Sequence, residues 1–295
     1  VYRRILVTLD GSEHSEVVLP YAKVLANKLD IDISLIHVCR QGEHALIPLH
    51  RAYIEHKAEI ITQQIKKTGK KGVAGTNKRK LEIRSELLFG NSAEEILRYS
   101  EENSFDLILM ATHGYSGMKR WSMGSVTEKV INATRVPVWL VPVHCRKMAA
   151  SDAWPDGPIL VPLDGSELAE SVLSHVESLA GQGGIGPVEV VILRVLESPV
   201  MSDHYFRNIP ETRDQVEEYL SRIEKRLKKS HLEVKSKVIT GEPADEIIDY
   251  VESGRFSLIV MSTHARSGLS RWVMGSVAMK VVSGVCCPIL LVHPQ

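Results

Sequence analysis

Met110-Ala111-Thr112-His113-Gly114, followed by nine residues and then Gly124-Ser125-Val126, returns later in the chain as Met261-Ser262-Thr263-His264-Ala265, again nine residues, and Gly275-Ser276-Val277. Shared islands lie between the ends of each copy: Ser116-Gly117-Met118 against Ser267-Gly268-Leu269, and Arg120-Trp121 against Arg271-Trp272. An apolar run that opens into a loop of glycine, serine and basic side chains reads as a strand-to-helix connection. Backbone N–H groups gather at such a connection and the helix presents its positive dipole end, so it suits an anion such as phosphate. Lys119 and Arg120 would add charge. The plainer reading is a long connection followed by a well-capped helix.

The duplication extends over the whole chain. Arg4-Ile5-Leu6-Val7-Thr8-Leu9-Asp10-Gly11-Ser12 returns as Pro158-Ile159-Leu160-Val161-Pro162-Leu163-Asp164-Gly165-Ser166. Gly90 to Ile96 returns as Gly241 to Ile247, and Val136 to Pro142 as Cys287 to His293. A period of half the chain is far beyond the roughly 20–50 residues of solenoid repeats, so it means two duplicated domains. We place them at 1–145 and 158–295, joined by a linker at 146–157 that lacks apolar periodicity and contains Pro155 and Gly157.

Lysine plus arginine equals aspartate plus glutamate at 36 each, so no overall field favours nucleic acid or a membrane surface. With 44% apolar residues the chain can build two ordinary cores. No apolar run approaches the roughly 18–20 residues needed to span a bilayer. A strand begins almost at Val1, which leaves no room for a secretory signal and suggests a processed or truncated N-terminus. The four cysteines do not recur in register, and a reducing cytosol is the natural setting.

Short β-branched runs alternate with helix-period segments, giving an α/β class with a parallel sheet buried on both faces. In the first half strands are expected at 4–9, 32–38, 81–88, 105–111 and 137–142, and helices at 14–28, 45–67, 92–103 and 125–133. Ser92 with Glu95, and Ser125 with Glu128, fit capping boxes. Pro243 suits a first helical position, whereas Ser276 has Met279 where a box needs Glu or Gln. Five parallel strands with right-handed crossovers form a doubly wound, Rossmann-like sheet, which binds ligands beyond the carboxyl ends of its strands. Strands one and four end in the two repeated motifs and so flank one crevice.

Asp10 and Asp164 each begin an Asp-Gly-Ser turn, a common helix start; a carboxylate at the crevice mouth also suits hydrogen bonds from a ribose or an adenine amino group. His113 and His264 have no sequence-adjacent carboxylate or cysteine, which argues against general-base work. Gly181 to Gly186 matches the dinucleotide fingerprint but follows a helix and precedes a strand, the wrong context, so it reads as a connector. The basic run from Lys66 to Lys80 lacks interleaved aromatics and reads as solvated surface, as does Lys225 to Lys229. Cys286 and Cys287 are expected to be buried small side chains. His37-Val38-Cys39 is a lone His-x-Cys, too little for a zinc site. No Walker A motif, nucleophile elbow or paired-carboxylate arrangement is present.

In combination these motifs resemble the universal stress protein family in its tandem two-domain form, over nearly the full chain. The family's nucleotide-binding members carry Gly-x-x-Gly, nine residues, then Gly-Ser or Gly-Thr. The first half matches with Ala111 in place of the first glycine. The resemblance implies an adenine nucleotide alpha hydrolase-like fold and ATP or AMP as ligand, with or without Mg2+. It implies that Asp10 and the backbone of Val38 contact adenosine. Ala111, Gly114, Gly124, Ser125 and Val126 would line the phosphates, with His113 and Thr127 beside them.

In the second half Ser262 and Ala265 replace the two glycines, so Asp164, Val195, Ser262, His264, Gly275 and Ser276 make a weaker set. If the backbone at 265 needs positive φ, alanine there costs roughly 1 kcal/mol. Family members pair through their last strands. Here 137–142 and 288–293 would make that contact within the chain, as a pseudo-dimer, and a homodimer is a further option. The expectation is a cytosolic adenine-nucleotide-binding stress or regulatory protein with no catalytic residue. The rivals are a slow ATP hydrolase and a nucleotide-free scaffold.

Overall fold

The computed structural model describes residues 2–69, 81–113, 123–143, 157–182, 188–197, 212–230, 232–263 and 274–293. The chain divides into two compact units, Val1–Trp154 with Gln182–Gly184, and Pro155–Gly181 with Ile185–Gln295. Most of the linker expected at 146–157, and all of it before Gly157, lies outside the described residues.

In the first unit the strands are β1 (Arg4–Leu9), β2 (Asp32–Cys39), β3 (Ile83–Phe89), β4 (Leu107–Ala111) and β5 (Val138–Val141). They pair in parallel in the order β3-β2-β1-β4-β5. Leu9 stands opposite His37, and Val7 opposite Leu109. The chain winds outward from β1 through β2 to β3, then returns to place β4 on the other side of β1. The switch in strand order therefore falls between β1 and β4, where a doubly wound sheet opens a crevice. Central β4 is buried at every residue, while edge strand β3 has only half-buried and exposed residues, as their positions in a parallel sheet demand. Trp139, on β5, is the bulkiest side chain wholly excluded from solvent among the described residues.

The second unit repeats this with β6 (Ile159–Pro162), β7 (Glu189–Leu196), β8 (Glu233–Thr240), β9 (Leu258–Ser262) and β10 (Ile289–Val292). Their order is β8-β7-β6-β9-β10, again parallel.

Helices of the first unit are α1 (Glu13–Glu16), α2 (Leu19–Leu29), α3 (Ile47–Gly69), α4 (Ser92–Glu102) and α5 (Ser125–Ala133). The helix expected at 14–28 is thus two, broken at Val17–Val18. Pro20 cannot donate to the carbonyl four residues back, which suits it to the first turn of α2. The second unit breaks at the same place, between α6 (Glu167–Glu170) and α7 (Leu173–Gln182), with Ser174 where the first has Pro20. Proline therefore accommodates the break and does not cause it. The remaining helices are α8 (Arg213–Lys228), α9 (Pro243–Ser253) and α10 (Ser276–Gly284), and Pro243 does open α9.

Neither expected capping box forms. The cap of α4 is Asn91, whose side chain accepts from Ala93 N–H at 3.1 Å and Glu94 N–H at 3.4 Å, and Ser92 is already helical. The cap of α5 is Gly124, which has no side chain to offer, and Ser125 is again the first helical residue. In both cases the serine sits one position too far along for its hydroxyl to reach the third residue's N–H. A capping box does form at Thr212 with Gln215, at the start of α8. Of the paired cysteines, Cys287 is buried but Cys286 is exposed, because successive residues entering a strand face opposite ways. On α8, Lys228 pairs with Glu224 at 2.9 Å and Arg226 lies 3.8 Å from Glu177, as on a solvated face.

Replacing Asn91 by alanine is expected to cost about 1 kcal/mol of unfolding free energy. Ser92→Ala should change it by less than about 0.5 kcal/mol. Urea midpoints of the two variants check the assignment, and the reverse ranking would restore Ser92 as the cap.

Candidate functional site

The tip of β1 passes into α1 through a tight turn. Asp10 Oδ1 accepts from the Ser12 N–H at 3.0 Å and from its hydroxyl at 2.6 Å. Gly11 between them has φ +87°, a left-handed conformation that a Cβ would strain. Ser12 Oγ then caps α1 by accepting from Ser15 N–H, and Ser15 Oγ receives the Asp10 N–H at 3.2 Å. Asp10 is exposed and holds this turn. The structural reading of Asp-Gly-Ser is therefore correct in geometry, and it leaves the carboxylate at the crevice mouth.

Across the crevice, β4 ends at Ala111 and the chain returns at Gly124 to start α5. Gly124 N–H donates to the Thr112 carbonyl at 2.9 Å, and Thr127 Oγ1 donates to the Ala111 carbonyl at 3.0 Å. Thr112 in turn receives the Val143 N–H on its hydroxyl at 3.3 Å, with His113 Nδ1 3.3 Å from the same oxygen. A Cβ on Gly124 would stand 3.3 Å from the Thr112 carbonyl oxygen and 3.5 Å from His113 Cα, so the glycine allows this close return. With glycine as cap, the first-turn N–H groups of Ser125, Val126 and Thr127 have neither an intrahelical acceptor nor a capping side chain. Gly114 and the basic residues Lys119 and Arg120 lie outside the described residues.

Val38 is half-buried on β2, and beside it His37 is buried at 3% exposure. His37 Nδ1 lies 3.0 Å from the Leu9 carbonyl, and since a carbonyl only accepts, the imidazole donates there. Burial lowers the His37 pKa, an effect that the Leu9 bond opposes and nearby His50 reinforces, so the ring is held neutral. Tyr53 on α3 stands edge-on to His37 and donates to Glu16 Oε1 at 3.0 Å, and Lys57 reaches Glu16 Oε2 at 2.7 Å. Burial and the Glu16 carboxylate push the Tyr53 phenol up, so it remains a donor. Sequence reading missed His50, Tyr53, Lys57 and Glu16. The only local signal for this cluster was His37-x-Cys39.

The second unit builds the same frame with different contents. Asp164 Oδ1 accepts from Ser166 N–H at 2.9 Å and Oγ at 2.6 Å, and Gly165 has φ +82°. Gly275 N–H donates to the Thr263 carbonyl at 2.8 Å, and Ser276 opens α10. Here Asp164 is only half-exposed and Val195 is buried, against an exposed Asp10 and half-buried Val38. Ser262 is buried at the end of β9, Ala278 replaces Thr127, and Arg194 stands where the first unit has His37. His264 and Ala265 lie outside the described residues.

The hydroxyl of Thr127 is buried, so Thr127→Val leaves the Ala111 carbonyl short of a donor. A loss of about 1–2 kcal/mol is expected. Chemical denaturation of Thr127→Val beside Thr127→Ser, which keeps the donor, measures it; a loss in Thr127→Ser with none in Thr127→Val would mean the methyl and not the hydroxyl matters.

A family model for the universal stress protein family matches residues 1–142 and again 157–293. Universal stress protein YxiE of Bacillus subtilis is 31% identical over 147 residues, which is 99% of that protein and 48% of this chain. Universal stress protein Mb2028c of Mycobacterium bovis is 22% identical over 295 residues, covering 97% of this chain and 96% of its own length. Among solved structures, a universal stress protein from Archaeoglobus fulgidus matches with a TM-score of 0.71 and 21% identity, over 99% of this chain and 96% of that one. That likeness is one of fold. With two matches that together span most of its length, the chain belongs to the universal stress protein family and carries the family's domain twice.

Proposed function

We propose that this protein binds an adenine nucleotide, ATP or AMP, in its first unit and acts as a stress-response regulatory module. The observation that carries the reading is the glycine cap of α5. Helices α1 and α4 of the same unit are closed by Ser12 and Asn91, whereas α5 starts beside the strand-order switch with its first-turn donors unclaimed by a capping side chain. Three N–H groups and a positive dipole end in that place suit a phosphate chain. Asp10 and the backbone at Val38, at the neighbouring strand tips, are then on the adenosine side. His113 and Thr127 border the phosphate side, with Thr127 acting through its bond to Ala111.

The second unit has the same glycine cap but a tighter setting. Asp164 and Val195 are less open than their counterparts, Arg194 fills the ground beneath them, and Ser262 and Ala265 replace the motif glycines. The set Asp164, Val195, Ser262, His264, Gly275 and Ser276 is therefore the weaker or vacant one. No helix among the described residues is long and apolar enough to cross a membrane. A cytoplasmic setting rests on composition alone, and the disulfide at Cys286 counts against a reducing compartment.

Calorimetric titration of the full chain with ATP and with AMP is expected to give one tight site. Gly124→Val, which drives a branched side chain into the Thr112 carbonyl, should abolish it with the circular dichroism spectrum unchanged, and Gly275→Val should leave it intact. Two equal sites would overturn the asymmetry, binding that survives Gly124→Val would move the site elsewhere, and absence of any heat would remove the function.

A further inference from the structure

We propose that His37, Cys39 and His50 form a binding site for a single transition-metal ion of zinc type, in the first unit only. His37 and Cys39 lie two apart on β2, with His50 brought to them by the first turn of α3. Their ligand atoms are all within 4.8 Å of one another. The His37 bond to the Leu9 carbonyl occupies Nδ1 and leaves Nε2 with its lone pair. That Nε2 is buried and has no hydrogen-bond partner among the described residues, and the same is true of His50 Nε2. A buried nitrogen lone pair without a donor is costly, and a metal ion satisfies it. Donation from the other ring nitrogen to a backbone carbonyl is also how metal-bound histidines are commonly oriented.

Two imidazole nitrogens and a thiol make a borderline-soft donor set, which suits zinc better than magnesium or calcium. The rings of His37 and His50 now lie 4.6 Å apart and nearly parallel, so closure on an ion requires His50 to turn. His50 is half-buried, which gives it room. Its Nε2 is 3.9 Å from Glu43 Oε2, so a fourth position falls to that carboxylate or to water. Burial and then Glu43 push the Cys39 thiol up, hence binding must expel its proton to the solvent.

The second unit supplies an internal control. There Arg194 takes the place of His37, Leu196 that of Cys39 and Val216 that of His50. The surrounding frame persists: Arg194 also reaches back to the Leu163 carbonyl, at 3.5 Å, and burial and then Glu170 push the Tyr219 phenol up as burial and then Glu16 push Tyr53. Three ligands were exchanged together within an otherwise repeated frame, and a fixed guanidinium stands where the first unit has neutral imidazole. This reading stands apart from nucleotide binding and is tested without nucleotide.

Full-length protein stripped with chelator is titrated with Co2+ as a spectroscopic probe, then with Zn2+ as competitor. One equivalent of cobalt is expected, with tetrahedral absorption and a thiolate charge-transfer band, displaced by zinc. Cys39→Ala should lose the charge-transfer band. His50→Val, which installs the second unit's own residue, should weaken cobalt binding by more than about 100-fold, beyond the effect of an outer-sphere partner. Cys287→Ala should change nothing. Circular dichroism of each variant confirms folding. Failure of the wild type to bind cobalt, or spectra unchanged in Cys39→Ala and His50→Val, would overturn the site.

Discussion

A single backbone hydrogen bond, made once in each unit, sets the geometry on which the site depends. Gly124 N–H closes onto the Thr112 carbonyl, and Gly275 N–H onto Thr263, at 2.9 and 2.8 Å. Each bond returns the chain, after a long excursion, to the residue just past a central strand. The following helix must then start at the crevice mouth. Glycine allows the approach because a Cβ at 124 would press on the very carbonyl that accepts the bond. The same absence of a side chain removes the usual cap. One residue thus fixes the helix start and leaves its N–H groups for another acceptor, and losing either property would lose both.

Much of this was legible in the sequence, because duplication lets a chain annotate itself. Runs such as Leu107–Ala111 and Leu258–Met261 are apolar throughout, as suits a strand buried on both faces. The Asp-Gly-Ser turns could be read because the left-handed glycine and the short acceptor are local requirements. Failures came where two local solutions share one pattern. Ser-x-x-Glu at Ser92 and Ser125 is a capping box in one register and an ordinary first turn in the next. A preceding Asn or Gly decides between them, and the pattern does not weigh that residue. The split of 14–28 into two helices leaves no trace in apolar periodicity, since a brief break keeps the same face inward.

The cluster around His37 was illegible for a different reason. His50, Tyr53 and Lys57 lie on α3 at spacings that mark one helical face, but nothing in the sequence says which strand that face covers. Only the crossover places it over β2 and the tip of β1. Sequence could flag only His37-x-Cys39, because His50 is brought beside that pair by tertiary structure.

Among the described residues the two units differ in where they keep positive charge near these strand tips. In the second, Arg194 is anchored in β7 and buried at 7% exposure, close enough to Tyr219 to act on it together with Glu170 and Asp164. In the first, the position in β2 is a neutral imidazole, and the cation reaches Glu16 from outside, as Lys57 on α3, where the second unit has Ile223. A charge at the end of a flexible stem leaves the strand tip less encumbered than a guanidinium rising from the strand itself. Asp10 and Val38 are accordingly more open than Asp164 and Val195. Divergence after duplication therefore acted beneath the crevice as well as in the glycine motif. The exchange of His37 for Arg194 and of Lys57 for Ile223 thus accompanies the changes of Ala111 to Ser262 and Gly114 to Ala265 in the repeated motif.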